Sequence, residues 1–203
     1  MAIRSALDFY VTPTWAVEQL LSRIELFGDI LEVCAGTNAI VSCLEKAKGE
    51  GMPINRIFTN DINPDHQTDY SVDASLRESW ERLPASSFVI TNPPYGKKAF
   101  EILELAYEFA EVGVAFFLRC TFAEPCHPRG EWLFMHPPNM VLSLPRYSFT
   151  GNGSDFTPCW WFLWLKGESQ QVFHIVPSHR IPGFYSSSRK KPQGGNNYEP
   201  TLN

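Results

Sequence analysis

The chain has 203 residues, 44% of them hydrophobic and 14% aromatic, which suits one domain built on a single core. Its net charge of −5 and pI near 5.5 exclude the broad basic field of a non-specific polyanion binder, though not a local basic groove. No apolar run approaches the length of a membrane span, the longest being "VGVAFFL" and "CWWFLWL".

The first residues, "MAIRSALDFYVTP", do not make a secretory signal, because the apolar stretch is short and broken by Asp8. "TPTWAVEQLLSRIEL" places Trp15, Ala16, Leu20, Leu21 and Ile24 at helical spacing, with Thr12 as the expected cap and Pro13 in the first helical position. "DILEVCAG" then reads as a short buried strand entering a glycine turn, and "NAIVSCLEKAK" resumes a helical period. Further strands are expected at "INRIFTNDI" and "SSFVITNPPYG", and "KKAFEILELAYEFA" is the clearest helix. "VGVAFFL", "NMVLSL", "CWWFLWLKG" and "QQVFHIV" complete seven predicted strands. The alternation of strand and helix points to an α/β fold, a parallel sheet with helices on both faces. One domain is expected over residues 1–185, followed by a flexible tail, "SSSRKKPQGGNNYEPTLN", at 186–203. The five cysteines are odd in number and lack paired spacing, which favours reduced thiols in a cytoplasmic protein. Cys120, Cys126, His127 and His136 match no zinc-binding spacing, so no metal is expected.

Three strand ends carry unusual chemistry, and in an open parallel sheet ligands bind beyond the carboxyl ends of strands. The first end runs Glu32-Val33-Cys34-Ala35-Gly36-Thr37-Asn38, where Gly36 lets a ligand approach the backbone closely. The second offers Asp61, 25 residues after Gly36 and near the offset at which an acid grips ribose hydroxyls. These two ends suit a nucleoside-type cofactor, and ordinary turn chemistry is the competing reading. The third end is Asn92-Pro93-Pro94-Tyr95. Its two prolines donate no hydrogen bond, so the loop presents carbonyl oxygens, and Asn92 adds a side-chain acceptor. Such a lip suits a planar –NH₂ group, with Tyr95 as a stacking face. A Pro-Pro turn with a packed tyrosine is the plainer alternative.

The tetrapeptide at 92–95, following "FVIT", resembles the catalytic motif of S-adenosylmethionine-dependent adenine-N6 DNA methyltransferases, in particular the small phage and prophage type. "DFYVTPTWAVEQLL", "ILEVCAGTNAI", "TNDIN", "FLRCTFAE" and "LPRYSFTGNG…WWFLW" resemble that family's other segments in the same order, over roughly Phe9 to Lys166. The resemblance implies a Rossmann-like class I methyltransferase with a mostly parallel seven-stranded sheet. It implies that Tyr10, Thr12 and Pro13 line the methionine side of S-adenosyl-L-methionine. Glu32, Cys34, Ala35, Gly36 and Asn38 would hold its amino-acid part, Asp61 its ribose, and Ile62 and Asp73 its adenine. Asn92, Pro93, Pro94 and Tyr95 would grip the target amino group of an adenine flipped out of DNA. Arg119 and Arg146, with Ser148 and Phe149 in "PRYSFTGNGSDFTP", would contact the nucleic acid, and Arg129 and Lys166 are further candidates. Asn38 departs from the family pattern, standing where a second glycine is usual, and asparagine tolerates left-handed geometry better than most residues. "CWWFLWL" reads as core rather than a base-stacking platform, and the histidines as surface or turn residues rather than catalysts. RNA adenine, cytosine-N4 and protein glutamine offer the same planar amine. A non-catalytic cofactor- or nucleic-acid-binding subunit is the reading from another class.

Overall fold

A computed structural model describes residues 11–146, 158–178 and 181. Tyr10, Ser148, Phe149 and the tail at 186–203 lie outside them. The short β-branched and aromatic runs form seven strands: β1 (Gly28–Glu32), β2 (Ile54–Thr59), β3 (Phe88–Thr91), β4 (Gly113–Arg119), β5 (Met140–Ser143), β6 (Cys159–Leu165) and β7 (Val172–Ile175). They make one sheet in the order β2-β1-β3-β4-β6-β5-β7. β6 alone runs against its neighbours, so the sheet is mostly parallel, as expected. β3 is buried at every position and β4 at all but its last, the unbroken apolar pattern of strands covered on both faces.

Alternation along each strand divides the core. Ile30, Phe88, Ile90, Ala115, Phe117 and Trp161 face α1 (Thr14–Leu21) and α2 (Ala39–Gly49). Leu31, Val89, Val114, Phe116 and Phe162 face α3 (Arg77–Trp80), α4 (Lys97–Phe109) and α5 (Arg129–Met135). Within α4 the buried residues Ala99, Phe100, Ile102, Leu103 and Ala106 make the helical stripe that pays no polar penalty on burial. Gly113 starts β4 because a Cβ there would run into the Trp164 backbone carbonyl of β6. The tryptophans of β6 are core, with Trp161 and Trp164 fully buried. Trp161 Nε1 also donates to the Ala16 carbonyl at 2.8 Å, tying α1 to the far side of the sheet.

Two expectations change. α1 starts at Thr14 with Pro13 at its N-cap, and Thr12 makes no capping bond. The helix stops at Leu21, short of the periodic pattern, because Ser22 Oγ and Arg23 Nη1 both donate to the Gln19 carbonyl. The second change is α5, a helix where the sequence suggested none. It has no fully buried residue and leaves Phe134 84% exposed; Trp132 packs against Phe100, Tyr107 and Trp164, and Leu133 is partly buried against the same core cluster.

Candidate active site

Strand order reverses between β1 and β3: from β1 the chain goes outward to β2, and from β3 it goes the other way to β4. A crevice therefore opens at their carboxyl ends, the ligand position of an open parallel sheet. The three unusual strand ends meet there. Asn60, fully buried, is the staple. Its Nδ2 donates to the Val33 and Val72 carbonyls at 2.9 and 3.1 Å, and its Oδ1 accepts from Val72 N at 3.0 Å. Its backbone bonds Glu32 and Ala35 as well. One amide thus holds the glycine turn, the end of β2 and the approach to Asp73 in register.

Glu32 closes β1 and is 1% exposed. Its Oε1 accepts from Cys34 N at 3.4 Å, whereas Oε2 is buried with no partner. Burial pushes the carboxyl up to about 8. The Thr91 hydroxyl and the Cys34 amide draw it back, and the nearby Asp61 charge adds to the rise. The Thr91 hydroxyl nevertheless makes no hydrogen bond of ordinary geometry, so two buried oxygens stand side by side unsatisfied. Cys34 is pushed far up by burial and then by Glu32, and so stays a protonated thiol rather than a nucleophile.

The glycine turn needs left-handed backbone twice. Gly36 has φ 52° and Asn38 φ 62°, the latter just before the first residue of α2. Asparagine does fill the position of the second glycine with the geometry it requires. Asn38 Nδ2 donates to the Gln67 carbonyl at 3.2 Å, and its Oδ1 is buried without a partner. Asp61, 8% exposed, sits beneath the turn. Its carboxylate accepts from Gly36 N and Asn63 N, both at 2.8 Å, and meets His66 Nδ1 at 3.1 Å. His66, passed over in the sequence, is thus part of this site. Ile62 beside it is 48% exposed, unusual for a large apolar side chain. Asp73 lies further along. Burial raises its carboxyl, but the Ser75 hydroxyl and amide and the Lys98 ammonium outweigh that and hold it below the usual range.

At the end of β3, Asn92 is half-buried, and its Nδ2 donates to Thr12 Oγ1 at 3.0 Å. This contact joins residues 80 apart and explains why the buried Thr12 does not cap α1. It fixes the amide plane, with the carbonyl oxygen on the opposite arm. Pro93 is buried, and Pro94 and Tyr95 are half-buried. The Tyr95 hydroxyl lies 3.2 Å from Cys159 Sγ, and the Arg119 guanidinium carbon stands 4.4 Å from its ring centre. Arg119 is therefore brought to the motif, whereas Arg146 is simply exposed. Arg129 packs over Phe122 and donates to the Glu124 carbonyl. Lys166 donates to the Glu108 and Ala110 carbonyls at the end of α4.

The site thus combines a crevice, a buried acid with an unsatisfied oxygen, and a lip of acceptors with an aromatic wall. No protein-family model matches the chain, and no curated protein matches it in sequence. Solved structures do match in shape. One is assigned as a class I S-adenosylmethionine-dependent methyltransferase from Listeria monocytogenes. It is 11% identical with a TM-score of 0.55, over 85% of this chain and 65% of that one. Another is assigned as the modification subunit of a type I restriction enzyme from Vibrio vulnificus YJ016. It is 12% identical with a TM-score of 0.59, over 85% of this chain and 48% of that one. The chain spans 65% of the length of the first structure and just under half of the second. Among the described residues, no helix is long and apolar enough to cross a membrane. With its doubly covered seven-stranded sheet and its crevice between β1 and β3, the chain has the fold of the class I S-adenosylmethionine-dependent methyltransferases.

Proposed function

We propose that the protein transfers a methyl group from S-adenosylmethionine to the exocyclic N6 amino group of adenine in DNA. The observation that carries this reading is the placement of Asn92-Pro93-Pro94-Tyr95 on the carboxyl end of β3, with the Asn92 amide anchored on Thr12. The likeness to a restriction-modification subunit supports a DNA substrate.

The residues at the crevice fit the cofactor. The unsatisfied Glu32 Oε2 would hold the α-ammonium of its methionine part, which would satisfy a buried polar atom and favour the charged form of the carboxyl. Gly36 and Asn38 let the turn pass close to it. Asp61 accepts two backbone N–H bonds on a group with about four acceptor positions, which leaves room for a ribose hydroxyl. The exposed Ile62 gives the adenine ring an apolar surface. When bound, the cofactor supplies a methyl group on positively charged sulfur, the electrophile of the reaction.

The protein prepares the nucleophile. An aromatic amine is weak because its lone pair is delocalised into the ring. Asn92 Oδ1 and the Pro93 carbonyl accept its two N–H bonds, draw nitrogen toward tetrahedral geometry and localise that pair. As the new N–C bond would form and the methyl–sulfur bond break, with its electron pair left on a neutral thioether, nitrogen would become positive and both oxygens attract it more strongly, so the transition state is favoured over the ground state. The alkylated nitrogen is acidic enough to lose its proton to water, and no strong base is required. Tyr95 stacks on the adenine, which must leave a duplex at a cost of a few kcal/mol.

Incubation with labelled S-adenosylmethionine and unmethylated DNA, RNA or a glutamine-bearing protein tests the reading. Label is expected on adenine N6 of DNA. Asn92→Ala should lower the rate by about a hundredfold or more and leave cofactor affinity nearly unchanged. Label on none of the substrates, with no cofactor-induced rise in melting temperature, would favour a non-catalytic subunit.

A further inference from the structure

Arg119 ends β4, the strand next to β3, and so shares the carboxyl edge with Tyr95. Its contact with the tyrosine ring, 4.4 Å to the centroid, is the shortest cation–ring contact among the described residues. The other stacked arginines have polar partners: Arg77 lies over Phe109 and pairs with Glu108, and Arg129 lies over Phe122 and donates to the Glu124 carbonyl. Arg119 pairs with no carboxylate among the described residues. Tyr95 itself is fixed, because its hydroxyl meets the buried Cys159, which lies opposite Arg119 in the β4–β6 ladder. The guanidinium covers a ring face suited to a base.

We infer that Arg119 is a positioning residue that holds the stacking face of Tyr95 until a nucleotide enters, and then exchanges the ring for that nucleotide's phosphate. The inference rests on the DNA reading above. Arginine suits both positions, since its plane stacks on an aromatic ring and its fork pairs with phosphate oxygens, whereas lysine serves only the second. A cation beside a flat ring is also a natural first contact for a polyanion.

The test measures kcat/KM against salt on a duplex whose modified adenine has been mapped. Arg119→Gln should lower kcat/KM about tenfold near 0.1 M salt and flatten the log–log salt slope by about one, the share of one phosphate contact. Arg119→Lys should restore the slope of the wild type. Binding of S-adenosylhomocysteine should be the same in all three proteins. A second neutral variant, Arg119→Met, keeps the comparison open should Arg119→Gln fold poorly. A neutral variant with the wild-type slope overturns the inference, as does Arg119→Lys with the slope of the neutral variants. Wild-type protein that methylates no DNA removes the proposed function first, and this inference with it.

Discussion

Replacing Glu32 by glutamine should stabilise the protein at neutral pH while crippling cofactor binding. The carboxyl is buried to 1% exposure, and its ordinary value of 4.5 is raised by burial to about 8. Between those two values the folded chain holds a proton that the unfolded chain releases. Folding stability must therefore fall as pH rises through this window, by up to about 1.4 kcal/mol per pH unit. From 4.5 to about 8 the loss totals at most ~5 kcal/mol, a large fraction of a domain's stability. Glutamine keeps the shape, carries no charge to desolvate, and offers its amide N–H to the unsatisfied Thr91 hydroxyl. Urea unfolding at pH 5, 6.5 and 8 should show wild type and variant within about 1 kcal/mol at the lowest pH. The variant should then pull ahead by several kcal/mol at the highest, order-of-magnitude figures from the same linkage. The two stability curves running parallel from pH 5 to 8 would refute the reasoning. Calorimetry with S-adenosylhomocysteine supplies the functional half. Wild-type affinity should rise with pH up to about 8 as the carboxylate forms and pairs with the ammonium, and Glu32→Gln should bind weakly with no such rise.

Thr12→Val keeps the volume but removes the acceptor for Asn92 Nδ2, so kcat should fall about tenfold through a loosened amide, with melting temperature little changed. Asn60→Leu leaves the Val33 carbonyl and both Val72 backbone groups unpaired in a dry interior, and denaturant unfolding should show a loss of roughly 3 kcal/mol or more. Gly113→Ala drives a methyl into the Trp164 carbonyl, which the β4–β6 ladder holds in place, and should cost about 1–3 kcal/mol by the same measurement.

Seven strands, the clearest helix and the three chemical strand ends were legible because their signals are local. Strands announce themselves by β-branched and aromatic runs, helices by a stripe every three or four residues, and the lip at 92–95 by two prolines that cannot donate. Asn38 was legible for the same reason, since left-handed backbone is a property of one residue. α5 was not, because a seven-residue helix with no fully buried position carries almost no apolar period.

What stayed hidden was partnership. Nothing near Asn60 in the chain marks it as the staple of the crevice, and nothing near His66 marks it as a partner of Asp61. Thr12 looks like a helix cap until α1 is docked beneath β6, which carries its hydroxyl to Asn92 instead. Arg119 reads from sequence as a nucleic-acid contact, but its place on Tyr95 emerges only when β4 pairs with β3. Each of these contacts depends on which strands are neighbours and where their ends fall. That order is set by how the whole set of apolar faces packs, a balance summed over the entire core rather than written in any short stretch.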